Sequence, residues 1–208
     1  MHYCRINNFS VAPQLLYSVS ALMSTEVRKR LFNVHDYHRM GDAGILSERD
    51  RVELIYGEIL AMSPIGSPHG AAVDRANRAM VNITGVQAII RVQGSVRLDD
   101  YNEPDPDIVL LRPTEDFYAS QLPGPPDILL IVEMAESSLE YDRTLKSRLY
   151  AETGIPEYWI ADLQHDCVLA YSDPREKSYR VVRQFHRGDF ITPQLLSACR
   201  IPIDVLLP

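Results

Sequence analysis

The clearest pattern in this chain is a pair of uninterrupted apolar runs. They are Ile108-Val109-Leu110-Leu111 and Ile128-Leu129-Leu130-Ile131-Val132. Short apolar runs that do not alternate with polar residues are expected of strands covered on both faces. Charge bounds each run, with Asp107 before the first and Glu133 after the second. The connection between them carries Pro113, Pro123, Pro125 and Pro126 and suits antiparallel neighbours, in which the start of one strand lies beside the end of the next. Asp107 and Glu133 should therefore meet at one edge of a sheet.

Other periodicities fill in the surroundings. Val27, Leu31, Val34 and Tyr37 predict a helix over Thr25 to Met40, ended by Gly41 and Gly44. The runs Val-Glu-Leu-Ile-Tyr and Glu-Ile-Leu-Ala-Met over Val52 to Met62 predict a small hairpin turning near Tyr56-Gly57. Ser63 to Gly66 reads as a loop. Ser67 follows as an N-cap, with Pro68 in the first helical position and a small-residue face of Ala72, Ala76, Ala79, Met80 and Ile83. Ala88 to Leu98 reads as a strand, and Asp99 to Pro104 as an acidic loop in solvent. Ser137 and Glu140 fit a capping box, which predicts a helix closed by Gly154 and Pro156. Strands over Cys167 to Tyr171 and Tyr179 to Phe185 should flank a turn at Ser172-Asp173-Pro174, before a last apolar stretch from Ser197 to Leu207. Together these elements predict one α/β or α+β domain over residues 25–208, a mixed sheet flanked by helices. Residues 1–24 are expected to form a loosely ordered extension, or an over-long start with Met23 as the true beginning. Their apolar part is too broken for a secretory signal.

The helix after Glu133 carries an anomaly. On a wheel of about 100° per residue, Lys146 falls in the apolar arc with Leu139, Leu149 and Tyr150. A lysine aimed at the core can snorkel, pair with Asp142, or reach the Asp107 and Glu133 pair. The last is the preferred expectation. Two carboxylates beside buried strands need compensation, and hard oxygen donors suit Mg²⁺ or Mn²⁺. Histidines add less. His35 and His38 lack a third ligand and read as a surface pair. His69 lies in a helical first turn that disfavours an imidazolium, so packing or exposure is expected ahead of a site role.

Composition narrows the field. The 208 residues are 46% hydrophobic and 24% charged with a net charge of -7, which argues against a generic basic nucleic-acid coat. A local basic surface remains open through Arg75, Arg78, Arg91, Arg97, Lys177, Arg180, Arg183 and Arg187. Cys4, Cys167 and Cys199 are scattered, as expected in a reducing, cytoplasmic compartment, and no run is long enough to span a membrane. Paired carboxylates also suit a glycosidase, but the single Trp159 sits in a predicted core strand and offers no sugar platform.

Glu103-Pro-Asp-Pro-Asp-Ile-Val-Leu-Leu111, Ile131-Val-Glu133 and Ser137-Ser-Leu-Glu-Tyr-Asp-Arg-Thr-Leu-Lys146 resemble the PD-(D/E)XK restriction-endonuclease-like superfamily. They are closest to its subgroup of small bacterial proteins. Leu149 to Asp162, Glu53 to Ile59, the following Met-Ser-Pro and His69 extend the resemblance. The resemblance implies a restriction-endonuclease-like core and Mg²⁺- or Mn²⁺-dependent hydrolysis of DNA phosphodiesters. It makes Asp107, Glu133 and the main-chain carbonyl of Met134 metal ligands, with Glu58 a second-rank acid and Gln93 a weaker candidate. The superfamily pattern places a lysine two positions after the second acid, where this chain has Ala135. Lys146 would supply that ammonium from the next helix. A homodimer is expected only because related nucleases often form one. The alternative is a binding or assembly module on the same fold that does not cut.

Overall fold

The two apolar runs are adjacent strands inside a six-stranded sheet. The computed structural model describes residues 28–47 and 49–208, so the predicted extension over residues 1–24 lies outside the described residues. Residues Leu31–Pro208 form one compact unit. Helix α1 (Val34–Asp42) and the hairpin β1 (Val52–Ile55) and β2 (Glu58–Ala61) precede α2 (Ser67–Thr84). The sheet then builds from β3 (Ile89–Val92), β4 (Ile108–Leu111) and β5 (Ile128–Ala135). A helical crossover follows, as α3 (Leu139–Tyr141), a π-helical segment (Asp142–Lys146) and α4 (Ser147–Glu152). Strands β6 (Glu157–Asp162), β7 (Cys167–Arg175) and β8 (Ser178–His186) complete the sheet in the order β3-β4-β5-β6-β7-β8, and β9 (Phe190–Ile191) pairs with β10 (Ile201–Pro202).

Every pairing in the large sheet is antiparallel except β5 with β6. That parallel pair is the reason for the crossover, because two parallel strands need a long connection over one face. The sheet is covered on both sides, which explains why β4 and β5 show no polar alternation. Leu130, Val132 and Met134 face a core that includes Ala72, Ala76 and Met80 of α2 and Ile201, Ile203 and Leu206 near the C-terminus. Ile131 and Ala135 face the opposite core, with Leu149 and Tyr150 of the crossover. Glu133 has the parity of this second set and so points at the crossover helix.

Several expected boundaries move, each for a local reason. The first helix starts at Val34, not Thr25, because Asn33 is its N-cap and its Oδ1 accepts from Asp36 N at 2.8 Å. Main-chain bonds from Phe32 N to Gly57 O and from Val34 N to Asp100 O tie the preceding segment down instead. It runs on through Gly41 to Asp42. Gly66, not Ser67, caps α2. Strand β3 ends at Val92, since Gln93 takes a φ of 47°. The acidic loop is not solvated throughout. Asn102 and Glu103 are buried, Asn102 Oδ1 accepts from Tyr56 N at 2.6 Å, and Glu103 bridges to Leu54. No capping box opens the crossover: Ser138 is the N-cap, and its hydroxyl donates to Asp142 Oδ2 at 2.6 Å. β7 runs straight through Ser172-Asp173-Pro174, and the turn falls beyond Arg175.

The predicted hairpin forms. Tyr56 and Gly57 both have positive φ, 51° and 74°, the conformation that a two-residue turn matched to strand twist requires. Gly57 is also where the chain approaches itself, since a Cβ there would lie 2.7 Å from Leu31 Cβ.

Candidate active site

The antiparallel register pairs Ile108 with Val132, which sets Asp107 across from Glu133. The same ladder pairs Val92 with Ile108, so Gln93 arrives beside Asp107 and its Nε2 lies 3.4 Å from Asp107 Oδ1. Asp107 N donates to Glu133 Oε2 at 3.2 Å, and Met134 N donates to Asp107 Oδ2 at 2.9 Å. Strand pairing alone thus brings Asp107, Glu133 and Met134 together.

The crossover helix adds the cation. Lys146 is 4% exposed and donates to Glu133 Oε1 at 2.9 Å, where the Tyr150 hydroxyl also donates at 3.1 Å. Of the three options open to Lys146, the chain takes contact with Glu133. The hairpin contributes an acid that sequence reasoning did not single out. Glu53, 1% exposed, lies 3.4 Å from Lys146 Nζ and accepts from Tyr141 OH at 3.0 Å. Glu58, the acid named from the resemblance, is exposed on β2 and is not among the residues lining the cavity. Alternation along β1 could have pointed to Glu53, since it interrupts an otherwise apolar strand. Its partners lie far along the chain, and no local pattern shows them.

His69 also joins the site. Its Nε2 lies 2.9 Å from Asp107 Oδ1, so the preference for packing or exposure does not hold. His35 is exposed, and His38 pairs with Glu103 at 2.8 Å.

Glu53, His69, Asp107, Glu133 and Lys146 line one cavity of about 470 Å³, walled by Met62 to Gly66 on one side and by Ser137, Ser138 and Tyr141 on another. Its acids are Glu53, Asp105, Asp107, Glu133, Glu136 and Asp142, set against Arg51, His69 and Lys146. Negative charge is in surplus, and protonation behaviour follows. Burial pushes Glu133 up to about 8, with Asp107 and Asp142 adding to the rise against the pull of Lys146. Burial pushes Asp142 up to about 6. Burial pulls on Lys146 in the opposite sense, but Glu133, Glu53 and Asp142 outweigh it and hold the ammonium charged. A hydrogen bond to the Asp107 carboxylate raises His69. Burial opposes ionisation of Asp107, but His69 and the Met134 N–H prevail and lower it.

As arranged, no three His, Cys, Asp or Glu side chains among the described residues form a ready metal cluster. Glu133 spends its oxygens on Lys146, Tyr150 and Asp107 N. The donor chemistry nonetheless fits a divalent cation. Carboxylates of Asp107, Glu133 and Glu53 converge on one cavity with more negative charge than its cations balance.

The predicted basic residues are mostly engaged within the chain. Arg75 donates to Leu207 O, Arg97 pairs with Asp100, and Arg187 pairs with Asp166. Arg91 donates to Ser95 O, and Arg180 lies 4.0 Å from Asp173. Arg78, Lys177 and Arg183 are exposed.

A mixed sheet crossed by a helix, with an acid just before β4, another inside β5 rather than at its end, and a buried lysine, defines a restriction-endonuclease-like protein. Residues 34–204 match the model of the family described as "Putative restriction endonuclease" (Uma2), and the chain belongs to that family. A crystal structure described as a putative nuclease belonging to DUF820, from Anabaena variabilis ATCC 29413, aligns with a TM-score of 0.66 at 16% identity, covering 84% of this chain and 97% of that one. At that identity the likeness is one of fold. No curated protein matches the chain. Among the described residues no helix is long and apolar enough to cross a membrane.

Proposed function

We propose that this protein is a divalent-metal-dependent endonuclease that hydrolyses DNA phosphodiester bonds. The observation that carries the reading is the buried Lys146 ammonium, 2.9 Å from Glu133, beside Asp107 at the base of an acid-lined cavity. A lysine is rarely fully buried without a partner, and here it stands among acids that one lysine does not neutralise.

In this reading Asp107, Glu133 and the Met134 carbonyl hold Mg²⁺ or Mn²⁺, with Glu53 as the added acid, a role first given to Glu58. The cation would supply charge to activate water and to neutralise the phosphate. Lys146 donates to the developing negative charge on phosphate oxygen or orients the attacking water. Tyr150 and Tyr141 fix Glu133 and Glu53 by donating to one oxygen of each. Met134 N–H fixes Asp107 from the main chain. Arg78, Lys177 and Arg183 are the exposed cations available to a DNA backbone. A homodimer would let one site meet each strand.

The test is incubation of purified protein with supercoiled plasmid in Mn²⁺, in Mg²⁺ and in EDTA, beside Glu133→Ala. Nicking that needs metal and is absent from the variant supports the reading. Equal inertness of both proteins on plasmids carrying varied and modified sequences moves the non-cutting binding module ahead.

A further inference from the structure

We propose that His69 is itself a ligand of the catalytic cation, and that its imidazole makes the site prefer Mn²⁺ over Mg²⁺. The inference rests on the metal-dependent reading above and adds a nitrogen donor to it.

The ring touches two of the groups expected to hold metal. Its Nε2 is 2.9 Å from Asp107 Oδ1, and the main chain of Met134 also bears on it. A cation bound by Asp107 would therefore lie within reach of this imidazole. The separation suits shared ligation: neighbouring donors on an octahedral cation with bonds of 2.0–2.1 Å lie about 3 Å apart. The histidine is poorly placed to withdraw. Its side chain is 17% exposed, and it sits in the first turn of a helix pinned by buried Ala72, Val73, Ala76 and Met80.

Chemistry gives the contact its consequence. The other metal donors of the site are carboxylate or carbonyl oxygens, which Mg²⁺ accepts readily. Imidazole suits transition metals and serves Mg²⁺ poorly. One nitrogen among oxygens would tilt the site without excluding either ion. The competing role is indirect, with His69 only steadying Asp107 through its hydrogen bond. That role would support both ions equally.

The two roles separate in a metal-binding experiment that needs no turnover. Mn²⁺ is titrated into the full chain, into His69→Gln and into Glu133→Ala, with Mg²⁺ measured by competition. Pulsed electron paramagnetic resonance then reads nitrogen coupling to bound Mn²⁺, in protein with natural histidine and with ¹⁵N-histidine. Direct ligation predicts a coupling that changes with the isotope and disappears in His69→Gln. It also predicts a loss of Mn²⁺ affinity on the order of 10-fold or more in that variant, exceeding the loss for Mg²⁺. Mn²⁺ binding that depends on Glu133 but shows no nitrogen coupling, or an equal loss for both ions, overturns the ligand role and leaves the nuclease reading standing. An absence of Mn²⁺ binding in the unaltered chain overturns both.

Discussion

Ala135 occupies the position at which the superfamily pattern has a lysine. It is fully buried against the core that holds Leu149 and Tyr150, so a lysine at that point would overpack the layer beneath the crossover helix. Lys146 reaches Glu133 from above instead, and the ammonium arrives at the same acid by another route. Lys146→Met should lower the cleavage rate by about 10²–10³-fold, the usual loss when one charge-stabilising donor is removed. Its effect on stability has a definite pH dependence. Without Lys146, Glu133 faces Asp107 and Asp142 alone, and its carboxyl rises above the value of about 8 that it has in the intact site. At pH 6 the variant can keep Glu133 protonated and neutral. At pH 8.5 it must hold a proton against the solvent or bury an unpaired charge. The stability deficit should therefore be larger at pH 8.5 than at pH 6, by up to about 1 kcal/mol, read from urea unfolding at the two values. An equal deficit at both would mean that Lys146 acts through packing of its stem.

The same scale shows why site residues differed in legibility. Asp107 and Glu133 were readable because each ends an apolar run, and Lys146 because it breaks a helical face. Glu53 and His69 were not, because they reach the site through the bridge from Leu54 to Glu103 and through the Asp107 contact, both long-range.

At the level of elements, the decisive device is parity. β5 pairs antiparallel with β4 and parallel with β6, and its alternate residues face α2 on one side and the crossover on the other. The paired strands are legible since both faces are covered, and the hairpin since two short apolar-rich runs flank Tyr56-Gly57. Helix starts were less so. Asn33 and Ser138 compete with nearby residues that also make good caps, and the π-helical segment at Asp142–Lys146 breaks the period on which wheel arguments rest. Ser172-Asp173-Pro174 carries the residues of a turn, yet the ladder keeps its register on both sides of Asp173, which takes a φ of 57° within the strand. Parity also gives a test of the hairpin. Glu53 and Glu58 lie on opposite sides of its turn, the first buried at the cavity and the second exposed. Glu53→Gln should weaken metal affinity and metal-dependent cleavage by about 10–100-fold, whereas Glu58→Gln should stay within about twofold of the unaltered chain. Isothermal titration with Mn²⁺ and initial cleavage rates would check the pair, and the reverse order would restore Glu58 as the added acid.

Across the whole molecule, the buried acids govern how stability responds to pH. Burial raises Glu133 to about 8 and Asp142 to about 6, and it raises Asp105 and Glu157 as well. A carboxyl whose pKa is higher folded than unfolded binds more protons in the folded state, so stability falls as pH climbs between the two values. His69 acts in the same sense. Its raised pKa gives stability below the ordinary histidine value that disappears as pH passes the folded one. The lowered carboxyls, Asp107, Asp50, Asp116, Glu152 and Asp166, change little in this range, because their stabilisation is present above the unfolded carboxylate pKa and is lost only as pH falls into the acid region. The sum is a melting temperature that drops steadily from about pH 5 to pH 8, with each kcal/mol lost lowering it by about 2–4 °C for a chain of this size. A divalent cation reverses the trend. It favours ionised acids and competes with their protons, so its stabilisation should grow over the same interval. Melting curves with and without saturating Mn²⁺ from pH 5 to pH 8 should therefore diverge as pH rises. Parallel curves would place the raised acids outside the metal site and leave their burial as a purely structural strain on the fold.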